Sequence, residues 1–153
     1  MNLETSIYGK KAMELFNEGY NCAQAVFLAF EDKYNIDRKT ALNLSSSFGG
    51  GMGRLREVCG AVSGMFMVAG LLYGYNEPED LEGKKIHYAR IQELAKVFEE
   101  ENDSIICRVL LGTGEGKDEP TPSKRTPEYY KERPCAYFVG TAAAIMEEYI
   151  NHH

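Results

Sequence analysis

No two cysteines in this 153-residue chain form a CxxC pair. That removes the local spacing of zinc fingers, thioredoxin-like motifs and bacterial ferredoxins, and the missing CxxCH removes an ordinary covalent c-type haem attachment. Basic residues never run beyond a dipeptide and the net charge is −6, so the concentrated basic surface that nucleic acid or an anionic membrane requires is lacking. No apolar run is long enough for a bilayer. The longest, Val58 to Tyr73, is roughly 16 residues, about 24 Å as a helix where roughly 20 residues are needed, and Gly60, Gly64 and Gly70 interrupt it. Met1 to Lys11 offers no apolar run for a secretory machinery to read, which places the chain in the cytoplasm as an expectation.

Hydrophobic residues make up 44% and charged residues 26%, the ordinary globular mixture, and the length suits a single domain over 1–153. There are four cysteines. In a reducing compartment they imply a metal site, a redox cycle or plain core packing, because stable structural disulfides are uncommon there and a chain of this size does not need them.

Periodicity points to an all-α fold: a single-domain bundle of about five to seven helices around a buried central helix at about 58–74. From Leu3 to Phe30 the helical pattern comes in two pieces, divided by Gly19. Asn21 reads as a fresh N-cap, with Gln24 completing a capping box and Cys22 in the first turn. Asp37 caps a third helix, which dissolves into Gly49-Gly50-Gly51-Met52-Gly53, a loop or a very tight approach. The apolar stretch that follows ends at Gly74, and its Gly60 and Gly64 let another backbone come close.

Pro78 suits a first helical residue, ahead of a long helix with a Tyr88, Ile91, Ala95 and Phe98 stripe that ends near Asn102. Asp103 reads as the cap of a short segment, Ile105 to Leu111, which carries Cys107 and is ended by Gly112, Gly114 and Gly116. Residues 114–133, with Pro120, Pro122 and Pro127, read as a mobile loop suited to a lid or a partner contact. Pro134 opens the last helix, with Val139, Ala142, Met146 and Ile150 on one face together with Cys135. No alternating strand pattern appears.

Three cysteines, Cys22, Cys59 and Cys135, fall in first turns of predicted helices. Unpaired amides and the helix dipole there favour a thiolate and predict a thiol pKa lowered from about 8.5 toward 7 or below. Arg54 and Arg56 would add to this at Cys59. Against it, cysteine also serves as a small buried hydrophobe, and all four have apolar neighbours. The glycines of 49–53 lack the preceding strand and third glycine of a dinucleotide fingerprint, and they serve equally to bring the chain close to neighbouring helices or to a cluster. His87 reads as a surface or satisfied core residue, His152 and His153 as a tail of native or added origin, and Tyr129 with Tyr130 as a weak sign of an interaction surface.

Asn21-Cys22-Ala23-Gln24, Phe48-Gly-Gly-Gly-Met-Gly53, Cys59-Gly60-Ala61-Val62-Ser63-Gly64, Cys107 and Cys135, taken together, resemble the C_GCAxxG_C_C family of redox-active proteins over nearly the whole chain. Val58 stands where the family name has a glycine–cysteine pair, a minor departure. The resemblance implies a small helical domain with a cysteine-based redox or metal role, and Cys22, Cys59, Cys107 and Cys135 are the positions that carry over. The expected function is that these four bind an iron–sulfur cluster or another soft metal, or cycle between dithiol and disulfide with Cys59 attacking and another cysteine resolving. Gly50, Gly51, Gly53 and Gly60 are the candidate cofactor-binding glycines. The expected partner is a redox protein, and a homodimer through the apolar 58–73 helix is a further expectation. The competing reading is a non-catalytic binding or scaffold module with structurally packed thiols.

Overall fold

The computed structural model describes residues 2–113, 117–132 and 134–153, and everything below concerns these. They form eight helices with no strand: α1 Ile7–Asn17, α2 Cys22–Ala29, α3 Arg38–Ser45, α4 Gly60–Tyr73, α5 Leu81–Asn102, α6 Cys107–Leu111, α7 Pro127–Glu132 and α8 Cys135–His152. The all-α expectation holds, and the count exceeds the expected range because short helices such as α7 form where a loop was expected.

Local chemistry sets most of the boundaries. Ser6, Asn21, Asp37 and Asp80 each accept from a backbone amide at the start of their helix, and at α2 the Gln24 side chain also accepts from the Asn21 amide, closing the predicted capping box. Gly74 follows α4 as expected, and Gly112 ends α6 in the left-handed conformation that glycine adopts without strain. Two caps differ from expectation. The long helix starts at Asp80, whose carboxylate accepts from the Gly83 amide, so Pro78 stays in the preceding turn. Asp103 (φ 73°) closes α5 from its C-terminal end instead of opening the next helix, and the Ser104 hydroxyl takes the Ile106 amide.

The most enclosed helix is α2. Every residue from Ala23 to Phe30 except Gln24 is fully buried, and α2 packs against α1, α3, α4 and α8. The helix expected at the centre, α4, is buried from Gly60 to Met65 and at Val68 and Ala69, but its end emerges, with Leu71 exposed. Overall hydrophobicity could not separate the two, because α2 is short and flanked by polar turns. The predicted approach at Gly60 and Gly64 is real: a Cβ on Gly64 would fall 2.8 Å from the Ala23 carbonyl oxygen, so α4 and α2 touch backbone to backbone. Along α5 the buried residues are His87, Leu94 and Phe98, with Tyr88 exposed, so the helix is rotated relative to the expected stripe. Arg90, which donates to the Tyr149 hydroxyl and the Tyr73 carbonyl and meets His87 Nδ1 at 2.9 Å, fixes that rotation.

Between Phe48 and Cys59 the chain does something unusual. Gly50, Gly51, Met52, Gly53 and Arg54 all have φ between 62° and 70°, one turn wound in the left-handed sense, and Arg56 follows at 60°. Left-handed backbone costs a non-glycine residue roughly 1–2 kcal/mol. Met52, Arg54 and Arg56 therefore store strain beside the site described next. The stretch after this turn pairs briefly with the start of α6 through a Val58–Ile106 antiparallel bridge.

Candidate functional site

Each of the four cysteines begins a helix. Cys22, Cys107 and Cys135 are the first residues of α2, α6 and α8, and Cys59 is the residue that caps α4. Cys107, expected merely within a short segment, thus joins the three predicted helix starts. All four line one cavity of about 400 Å³, a size suited to a small ligand.

Several devices bring them together. The Val58–Ile106 bridge sets two of them side by side, since the Cys59 amide donates to the Ile105 carbonyl at 2.8 Å and the Cys107 amide to the Glu57 carbonyl at 2.6 Å. The left-handed turn fits beneath them. At Gly51 (φ +67°) a Cβ would lie 2.6 Å from Cys107 Cβ, so neither the conformation nor the space admits a side chain. At Gly60 a Cβ would crowd the Phe48 carbonyl and Cys22. The predicted glycines Gly50, Gly51, Gly53 and Gly60 all line the cavity.

No disulfide joins the cysteines, and Cys59, Cys107 and Cys135 are buried while Cys22 is half-buried. Hydrogen bonding with Cys135 is the largest influence on the Cys22 thiol, so two cysteines from opposite ends of the chain act on one another. That interaction, followed by burial and by the nearby Cys59 and Cys107 sulfurs, holds the Cys22 proton and raises its pKa well above the ordinary thiol value. Burial pushes the Cys59 thiol up to about 12, against the pull of the Ala61 and Val62 amides. The expected lowering at helix starts is therefore overturned at these two positions. At Cys59 desolvation of a buried thiolate costs more than the helix dipole returns, and at Cys22 hydrogen bonding with Cys135 comes first and burial second.

Three arginines share the cavity wall: Arg54, Arg56 and Arg125. Arg56 is almost wholly buried. Its Nη1 donates to Cys107 Sγ at 3.5 Å and its Nε to Asp118 at 2.8 Å, while its Nη2 has no hydrogen-bond partner among the described residues. Burial lowers the affinity of this guanidinium for its proton, but the contacts with Cys107 and Asp118 outweigh that and hold it charged.

The segment expected to be a mobile loop is tied down where it is described. Arg54 donates to the Glu119 carbonyl and the Ser123 hydroxyl. Arg125 donates to the Phe16 and Tyr20 carbonyls, both at 3.0 Å, and stacks 4.1 Å over the Phe16 ring. Pro120, Pro122, Ser123 and Tyr129 thereby become part of the cavity wall. Pro127, expected within that loop, instead starts α7, as proline at a first helical position can. Gly114 and Gly116, expected to help end the Cys107 helix, lie outside the described residues.

Sequence reasoning missed Arg125, whose role depends on a contact between distant segments, and the convergence of the arginines. Tyr129 was noted only as a weak surface feature. Among the described residues no helix is long and apolar enough to cross a membrane. Also among them, no group of three or more histidine, cysteine or acidic side chains is placed to hold a metal ion.

No curated protein and no solved structure matches the chain. A family model does match residues 20–149, a span that starts just before Cys22 and takes in every residue from the left-handed turn to Cys135; it is described as "Putative redox-active protein (C_GCAxxG_C_C)", and the chain belongs to that family.

Proposed function

We propose that the chain is a thiol redox protein in which Cys22 and Cys135 cycle between dithiol and disulfide at the wall of the four-cysteine cavity. The observation that carries this reading is the convergence of Cys22 and Cys135, from opposite ends of the chain, on the wall of one cavity, where the two thiols act on each other. A disulfide requires the two sulfurs to approach to about 2 Å. Oxidation releases two electrons and two protons. Neither the protonated pair nor the disulfide has a charge to bury, so the dry setting accommodates both resting states and disfavours only an ionised thiol. Cys22 and Cys59 are both raised above the ordinary thiol value, so what sets Cys22 apart is its coupling to Cys135, and Cys59 serves as a neighbour that shapes the cavity. A redox partner protein or small thiol would exchange electrons with the pair.

A second reading, an iron–sulfur centre, is favoured by the gathering of all four thiols on one cavity beside a buried guanidinium. Among the described residues no three donors are placed around one point, so these residues do not form a site for a single tetrahedral ion. A cluster spreads its thiolates over several iron atoms, and the donor set of Cys22, Cys59, Cys107 and Cys135 suits it chemically. Bound there, it would supply one-electron transfer. Arg56 would offset its negative charge.

The two readings separate in protein purified under strictly anaerobic conditions. The dithiol reading expects colourless, metal-free protein with four titratable thiols that fall to two after mild oxidation with diamide. Stoichiometric iron and sulfide, with a visible absorption band lost on chelation, would instead establish the cluster.

A further inference from the structure

The cavity is cationic in an acidic protein. Arg54, Arg56 and Arg125 line it and no aspartate or glutamate among the described residues does, although the chain as a whole carries −6. Asp118, outside the wall, is shared between Arg56 Nε at 2.8 Å and Arg54 Nη2 at 3.8 Å, one carboxylate against two guanidiniums. Arg125 is held by backbone carbonyls, with no carboxylate paired to it among the described residues. Three helices of eight residues or more, α2, α4 and α8, begin at this cavity and direct the positive ends of their dipoles toward it. The decisive feature is Arg56, 2% exposed, with Nη2 unpartnered. A buried donor left without an acceptor costs about 1–3 kcal/mol, more when charged, and a ligand that supplies the acceptor removes that cost.

We propose that the cavity is a binding site for a small disulfide bearing an acidic group, with its carboxylate on Arg56 Nη2 and its sulfurs against Cys22 and Cys135. This rests on the dithiol reading and names the oxidant of that same site. One sulfur of the protein pair, as its thiolate, attacks the bound disulfide R–S–S–R, forming a protein–S–S–R bond and expelling R–S⁻. The second protein thiol, losing its proton, attacks the protein sulfur of that mixed disulfide and expels the other R–S⁻. Two electrons pass from the protein to the small molecule, the two thiol protons end on the released thiols, and the protein is left with a Cys22–Cys135 bond. The acidic group distinguishes this substrate from neutral disulfides, because its charge enters a focused positive field.

The test mixes reduced protein with three small disulfides at fixed ionic strength: 3,3′-dithiodipropionate with two carboxylates, bis(2-hydroxyethyl) disulfide with none, and cystamine with two ammonium groups. Formation of the Cys22–Cys135 bond is followed by acid quench and mass spectrometry, each rate being normalised to that reagent's reaction with free glutathione. The dianion is expected to react at least about tenfold faster than the neutral reagent and cystamine more slowly still. Arg56→Gln should bring the three rates together, and Arg56→Lys should keep part of the preference. Because Arg56→Gln removes buried contacts, the wild-type protein carries an independent arm, calorimetric binding of 3,3′-thiodipropionate, a thioether that cannot exchange. Equal normalised rates with no thioether binding would overturn the anionic-ligand assignment while leaving the redox pair standing. Thioether binding without bond formation by any reagent would support the anion site and sink the dithiol reading.

Discussion

Gly60 and Cys22 stand so close that a methyl group on the glycine would fall 3.1 Å from Cys22 Cβ, and 2.8 Å from the Phe48 carbonyl oxygen behind it. The contact explains why a glycine sits at the start of α4. Cys22 reaches the cavity only because α4 leaves room for it.

Gly60→Ala is therefore expected to destabilise the fold by about 1–3 kcal/mol, because the crowded atoms include backbone that has no alternative rotamer. The melting temperature should fall by several degrees. Formation of the Cys22–Cys135 bond should slow as well, since the displaced segment carries one of the two sulfurs. Unchanged stability and rate would show that α4 and α2 are not packed this closely.

Stability should fall in alkali. The Cys59 thiol titrates near 9.0 when unperturbed and is pushed up to about 12 by burial in the folded chain. The folded state thus holds this proton more tightly than the unfolded state. The stability this provides is complete below about pH 9 and is lost as the pH rises toward 12. Urea denaturation at pH 8 and at pH 10.5 should show the loss, and Cys59→Ala, though less stable overall, should show a smaller difference between the two. The comparison with the variant is needed because Tyr8 and Tyr34 are also raised by burial and titrate in the alkaline range.

Arg125→Ala should loosen the cavity wall without reaching the sulfurs. It deletes two hydrogen bonds to carbonyls near the end of α1 and the stack on Phe16, contacts worth together about 1–3 kcal/mol. Cys22, the half-buried thiol, should then react several-fold faster with a bulky maleimide, as read by mass spectrometry. Equal labelling rates would mean that this segment does not govern access.

Much of the fold was legible in the sequence because it rests on local chemistry. The Asn21–Gln24 capping box, the Asp37 cap, the stop at Gly74 and the proline before α8 are each decided by a handful of adjacent residues. The pairing of Gly60 and Gly64 with a neighbouring backbone was legible for the same reason, as four-residue spacing fixes one helix face. The rotation of α5 was not, because Arg90 sets it through contacts with Tyr73 and Tyr149 on two other helices.

The site was legible as a set of residues and illegible as an environment. The order of Cys22, Cys59, Cys107 and Cys135 marked the four positions, and the glycine-rich lead into Cys59 marked the cavity floor. The acidity of Cys22 and Cys59 was misjudged because a helix start favours a thiolate only when solvent helps to carry the charge, and neither the burial of Cys59 nor the Cys135 thiol acting on Cys22 can be read from neighbours in the chain. The arginine lining was hidden for a related reason. Arg54, Arg56 and Arg125 meet only after the segment around Pro120 and Pro122 folds back over the left-handed turn.

The most direct measurement is a disulfide map of the oxidised protein. Reduced protein is treated with one equivalent of diamide, the remaining thiols are alkylated in denaturant, and the non-reduced digest is read by mass spectrometry. A single cross-linked peptide pair joining Cys22 to Cys135, with Cys59 and Cys107 recovered alkylated, is the predicted result. Recovery of all four cysteines alkylated, or a bond placed between Cys59 and Cys107 instead, would contradict the account.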